Sequence, residues 1–334
     1  MTRRNRKLGF RLAAIAFGLM IVLAAELGCR AFGVGLAEQT DDPFVGFESV
    51  VPLFVENKAG DAMEIAEGRL RFFAADSFSK PKPANTYRIF CLGGSTVQGR
   101  PFSIETSFTT WLQQSLSVTD SSRDWEVVNC GGVSYASYRL VPILSECLQY
   151  EPDFIVVCTG HNEFLEDRTY ASIKASGSAY RMLAHSRLFT LMRSATMPDR
   201  SERDQFLLNT DVNARLDYDD GLQFYERDDE WRNQVAEHFE SNLRRMATAC
   251  SDAEIPLLFM LPPSNFSGSP PFKTVPNEAV ADGVRTHILA ARKLYETDLA
   301  AAITELKSAV EQDPRHAANL FELGRVCESA GQIE

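Results

Sequence analysis

Four apolar runs constrain the fold of this 334-residue chain more than any other feature: TYRIFCLG at 86–93, WEVVNCGG at 125–132, DFIVVCTG at 153–160 and IPLLFMLPP at 255–263. They are short, nearly continuous and rich in branched and aromatic residues, which is the pattern of strands buried on both faces. Between them lie amphipathic helices. ETSFTTWLQQSLS places Phe108, Leu112 and Leu116 on one face, and SYRLVPILSECLQY and WRNQVAEHFESNLRRMATAC read the same way. Strands alternating with helices imply an α/β fold with a parallel sheet covered on both faces. In such a sheet the ligand site lies beyond the carboxyl ends of the strands.

Three of those ends are polar and glycine-rich: CLGGST, NCGGVS and CTGHNE. The first continues as GGSTVQGRP, where three readings compete. A phosphate loop needs a Lys and a hydroxyl where this chain has Arg100 and Pro101, and Pro101 has no donor to offer. A nucleophile elbow of the G-x-S-x-G kind needs Gly where Val97 stands. Taken alone, the stretch is as well read as a structural turn.

Taken together, the three strand ends carry more. Gly93-Gly94-Ser95-Thr96, Asn129-Cys130-Gly131-Gly132 and Gly160-His161-Asn162-Glu163 resemble, in order and spacing, the first three sequence blocks of the SGNH (GDSL-type) hydrolase family. The resemblance covers roughly residues 86–263. It implies a flavodoxin-like α/β/α sandwich and hydrolysis or transfer of acyl esters, and no cofactor is expected. It implies Ser95 as nucleophile and first oxyanion N–H, Gly132 as a second backbone donor, and Asn162 as a side-chain donor. The residue types suit those roles: Asn offers an NH₂ without charge, and Gly lets the backbone come close. Gly94 stands where the family has Asp, Glu163 stands where it has another Asp, and the doubled Gly131-Gly132 leaves the register of the second block open by a residue or two.

A serine needs a base. The one Asp-x-x-His of the chain is Asp313-Pro314-Arg315-His316, and it falls inside a different pattern. Residues 296–334 fit the tetratricopeptide period of about 34 residues. Ala302, Leu306, Ala309 and Pro314 close one repeat, and Leu320, Leu323, Gly324 and Gly331 belong to the next. His316 is therefore expected to be structural. His161 sits between the expected oxyanion residues without an Asp at the right spacing. His238 falls on an amphipathic helix, His185 in an arginine-rich insertion, and His287 in the repeat region. The expectation is that the base and its Asp lie beyond Glu334, with the repeats inserted in the hydrolase fold.

The amino terminus adds a location. MTRRNRK precedes about twenty apolar residues broken by Arg11 and Glu26, long enough to span a bilayer with the basic flank in the cytoplasm. A cleaved signal peptide ending near Gly35-Leu36-Ala37 is the competing reading, and both export the body. The expected organisation is an anchor at 1–30, a connecting region at 31–85, the hydrolase-like domain at 86–282 and repeats at 283–334. Net charge is −11, and five of the positive charges lie in the first eleven residues, so no basic face exists for nucleic acid. Seven cysteines show no metal or disulfide spacing, and Cys91, Cys130 and Cys158 read as small buried hydrophobes. Expected partners are an acyl ester such as an O-acylated carbohydrate, the bilayer, and a protein bound by the repeats. The alternative from another class is an inactive envelope scaffold acting through those repeats.

Overall fold

The computed structural model describes residues 14, 17–18, 20–29, 42, 44–47, 50–168, 186, 188, 191–192, 207–217, 219–265, 267–271 and 273–332. They fall into two units, one comprising Met1–Ala214 with Gln234–Leu261, the other Arg215–Asn233 with Pro262–Glu334.

In the first unit a short strand β1 (Gly46–Phe47) precedes an antiparallel meander of β2 (Phe54–Glu56), β3 (Ala62–Ile65) and β4 (Ser77–Ser79). The main sheet follows: β5 (Thr86–Gly93), β6 (Asp124–Gly131), β7 (Phe154–Cys158) and, after a two-residue β8 (Leu207–Leu208), β9 (Leu257–Met260). Its order is β6-β5-β7-β9 and every pairing is parallel. The helices are α1 (Ser95–Gln98), α2 (Phe108–Thr119), α3 (Ser137–Cys147) and α4 (Asp229–Asp252).

The strands read as continuous apolar runs because both faces are covered. Phe90, Leu92, Val128, Ile155 and Val157 pack with Leu140 and Leu144 of α3 and Met246 of α4. Ile89, Cys91, Val127, Val156 and Cys158 point the other way, toward Phe108, Leu112 and Leu116 of α2. This is the expected mixed α/β fold with a parallel sheet. Cys91, Cys130 and Cys158 are buried free thiols, and burial pushes Cys91 up to about 12, so they act as apolar filling.

Residues 50–85 are more than a connector. Leu53, Phe54, Met63, Ile65, Phe72, Phe73 and Phe78 enter the same core as Phe90. The alternation that places Met63 and Ile65 inside and Glu64 outside runs for only three or four residues per strand, too short to stand out from the flanking Gly and Pro. Arg88 locks the meander to the sheet: it is 2% exposed and donates to Glu126 (2.5 Å), the Tyr150 carbonyl (2.6 Å) and the Ser79 carbonyl (2.7 Å). Among the described residues no helix is long and apolar enough to cross a membrane. His185 and most of the arginine-rich insertion lie outside the described residues.

The second unit holds α5 (Ala281–Leu294), α6 (Leu299–Gln312) and α7 (Ala317–Ser329). Ala291, Ala302, Ile303, Leu306 and Val326 form its own apolar core. Asp298 caps α6 by accepting the Ala301 N–H.

Candidate active site

The strand ends are level. Gly93 pairs with Gly131 on one side and with Cys158 on the other, so the three glycine-rich turns leave the sheet side by side. Ser95 is the first residue of α1, with Gly94 as its extended N-cap. Gly93 has no room for a side chain: a Cβ there would lie 2.2 Å from the Cys158 carbonyl oxygen and 2.3 Å from Val97 Cγ2. At Gly94 a Cβ would fall 2.4 Å from Asn162 Nδ2. The Asn162 amide therefore occupies the space that a larger residue before Ser95 would take, which accounts for Gly at that position. Asn162 is held by one N–H to the Tyr135 carbonyl (2.9 Å), which leaves its second amide N–H.

The second-block glycines serve the backbone. Gly131 donates its N–H to Asn129 Oδ1 (2.9 Å), and a Cβ on it would strike the Gln98 nitrogen at 2.1 Å, so α1 lies directly on it. Gly132 donates to the Gly93 carbonyl (2.9 Å) and Val133 to Phe72 (2.8 Å). The Gly132 donor is thus already engaged. Next in that turn is Ser134, with φ +63°, whose N–H has no partner among the described residues. The same holds for the N–H groups of Ser95 and Thr96 and for the half-buried Ser95 hydroxyl.

Two buried side chains of the second and third strand-end blocks hold this arrangement. Asn129 is 1% exposed. Its amide donates to the Val97 carbonyl (2.8 Å), Thr109 Oγ1 (2.9 Å) and Ser107 Oγ (3.2 Å), tying α1 and the start of α2 to β6. Glu163 accepts the Ser137 N–H (2.8 Å) and hydroxyl (2.9 Å), anchoring the first turn of α3. Burial pushes its carboxyl up, partly offset by those bonds and by Arg168. The spacing alone signalled an Asp-like position after Asn162, and only packing reveals its partner.

No described histidine hydrogen-bonds Ser95. His161 is exposed on the turn. His238 is fully buried between Phe44 and Tyr138 and bonded to Asp42 (3.1 Å). His287 pairs with Glu305 (2.7 Å). His316 is bound through both ring nitrogens, to Asn319 (2.8 Å) and Thr274 (3.0 Å). Asp313 accepts a bidentate pair from Arg227 (2.8 Å each), which holds its carboxyl down at about 2. The Asp-x-x-His is accordingly spent within its own unit. Among the described residues no group of three or more His, Cys, Asp or Glu could hold a metal ion.

No family model and no curated protein matches the chain. Among solved structures it is similar to AlinE4, an SGNH-hydrolase family esterase (12% identity, TM-score 0.27, 64% of this chain and 97% of that one). It is also similar to a lipase/acylhydrolase from Enterococcus faecalis (14%, 0.24, 51% and 74%). A third is a variant acetyl xylan esterase from Geobacillus stearothermophilus (13%, 0.24, 51% and 75%). At these values the likeness assigns no activity, and the case rests on the residues above.

Two outcomes follow from this geometry. Gly94→Ala should cost about 1–3 kcal/mol through overpacking, and most of that cost should vanish in an Asn162→Ala background, because the clash is with that amide. Equal costs in both backgrounds, by denaturant titration, would place the strain elsewhere. Glu163 has its folded pKa raised above the ordinary 4.5. Its contribution is therefore fully present below pH 4.5 and is lost as pH rises through the folded value. Melting curves of Glu163→Gln should gain on the wild type across that rise, and a pH-independent difference would show that Glu163 does not titrate there.

Proposed function

We propose that this chain is an SGNH-type serine acyl-ester hydrolase or O-acyltransferase, with Ser95 as the nucleophile. The observation that carries it is the Asn162 amide packed against Gly94, beside a Ser95 whose hydroxyl and N–H are both unengaged. In this reading Ser95 gives its hydroxyl proton to a base that lies outside the described residues and attacks the ester carbonyl, the base returns the proton to the leaving alcohol, and water or an acceptor hydroxyl then releases the acyl group. The tetrahedral oxyanion is met by neutral donors: the Ser95 N–H, the second Asn162 N–H, and the Ser134 N–H in place of the engaged Gly132. Losing one such donor typically costs about 100–1,000-fold in rate. O-acylated carbohydrate is the substrate class we assign to an exported protein of this kind, and we read residues 283–334 as tetratricopeptide repeats that bind a partner protein.

The second reading, an inactive scaffold, is favoured by one observation: no base is bonded to Ser95 among the described residues. Acid-quenched incubation with nitrophenyl acetate, followed by peptide mass analysis, separates the two. An acetyl group on Ser95, absent in Ser95→Ala and formed about 100-fold or more slowly in Asn162→Ala, supports the hydrolase. No adduct and no turnover with several acyl donors, in a protein that also contains the expected Asp-His base for Ser95, supports the scaffold.

We also read residues 8–28 as a membrane anchor. Phe17, Met20, Ile21, Val22, Leu23 and Leu27 are each more than half exposed, which a water-facing helix does not favour. The protein should stay with membranes through alkaline carbonate extraction and leave them when residues 1–30 are deleted. Release of the intact chain by carbonate would refute the anchor.

A further inference from the structure

The turn that carries Asn162 is gripped by a closed ring of hydrogen bonds. Asp42 Oδ2 accepts from His238 Nε2 (3.1 Å) and from Arg245 Nη1 (2.8 Å). His238 Nδ1 faces Arg168 Nη1 (3.0 Å), and Arg168 Nη2 donates to the Glu163 carbonyl. The Glu163 carboxylate holds the Ser137 N–H and hydroxyl, and that hydroxyl accepts from the Asn242 amide (3.1 Å). The Asn242 side-chain carbonyl accepts from Arg245 Nη1 (3.1 Å), which closes the ring. An arginine only donates, so His238 Nδ1 accepts and the ring proton sits on Nε2, aimed at Asp42.

His238, Asn242 and Arg245 form one stripe of α4 at i, i+4 and i+7, and the segment before β1 supplies the rest of that side. It contributes twice, through the Asp42 carboxylate and through the Phe44 ring stacked on His238 (centroids 4.6 Å apart, planes at 19°). Asp42 also accepts the Phe44 N–H (2.8 Å), so the two contacts share one local conformation. On its other face His238 stacks on Tyr138 (5.4 Å), and Arg168 lies over that same ring (4.4 Å). His238, Asn242 and Ser137 are fully buried, and Glu163 and Arg168 nearly so. Charged groups this deep typically add little stability over apolar packing of the same volume. What the ring adds is geometry.

That geometry is the setting of Asn162. Its neighbour Glu163 is held at both ends, by Ser137 on the carboxylate and by Arg168 on the carbonyl. Ser137 follows two residues after Tyr135, whose carbonyl takes the Asn162 amide (2.9 Å). The Glu163–Ser137 bonds therefore span the same gap as the Asn162–Tyr135 bond.

We propose that Asp42 and His238 are positioning residues for Asn162: they orient Arg168, which holds the turn, so the oxyanion donor is in place only while the segment carrying Asp42 and Phe44 is docked on α4. The proposal rests on the reading of Ser95 and Asn162 as catalytic groups.

Hydrogen exchange followed by mass spectrometry on the intact protein tests the geometry without any need for turnover. Asp42→Ala removes the acceptor, and His238→Phe keeps a ring between Phe44 and Tyr138 that bonds neither partner. In both, the peptide 159–166 should exchange about tenfold faster, the size of one lost hydrogen bond to a charged group, while the peptide 86–93 keeps its rate. His238→Asn, whose side-chain oxygen can accept from Arg168, should restore part of the protection. Ser95 acetylation by nitrophenyl acetate, in protein that also contains the expected base, supplies the second readout. Both variants should acetylate about tenfold more slowly, and adding His238→Phe to Asn162→Ala should cost nothing further, because both act through one amide. Unchanged exchange at 159–166, faster exchange in both peptides, or additive slowing in the double variant overturns the positioning role. No adduct in the wild type refutes the hydrolase reading instead, and the exchange rates then decide by themselves whether the ring holds the turn.

Discussion

At the carboxyl edge of the sheet, main chain must approach main chain more closely than any Cβ allows. A Cβ on Gly93 would meet the Cys158 carbonyl, and one on Gly131 would meet the Gln98 nitrogen. These contacts are with backbone, so no side-chain adjustment relieves them. With both glycines in place, α1 seats on β6 while β7 closes from the other side, and the turn carrying Ser95 has one position to occupy. The site is a consequence of that packing, and its precision comes from strands rather than from loops.

Polar groups then fix what packing positions. Asn129 and Glu163 are nearly inaccessible, where an unpaired amide or carboxylate would cost about 1–3 kcal/mol or more. Each is saturated by groups on the elements that meet at the edge: Asn129 by α1 and the α2 cap, Glu163 by the first turn of α3. Because these bonds join elements distant in sequence, they select one relative arrangement. Apolar burial alone would tolerate several.

The parallel sheet was legible because its strands are buried on both faces and its turns are glycine-rich, two local signals that agree. The meander at 54–79 was not, because three-residue strands give almost no periodicity and their burial is decided by distant partners such as Phe90 and Tyr150. Ser95 and Asn162 could be singled out by type and spacing. Gly132 could be named only to within a residue or two, since which N–H stays unbonded depends on the pairing of Gly132 with Gly93 and of Val133 with Phe72. The partners of Asn129 and Glu163 left no trace in the sequence for the same reason: each is a contact across tens of residues.

The distribution of unpaired donors separates this edge from the rest of the unit. Backbone N–H groups are almost always bonded when removed from water, and the turn after β6 obeys this at Gly131, Gly132, Val133 and Tyr135. At half-buried Ser134, and at Ser95 and exposed Thr96 where any helix start leaves its first donors open, the N–H groups have no partner among the described residues. Asn162, which bridges those two turns through Tyr135 and Gly94, keeps one amide proton uncommitted. Donors left open where strands, glycines and a serine are forced together are what a developing negative charge on oxygen requires.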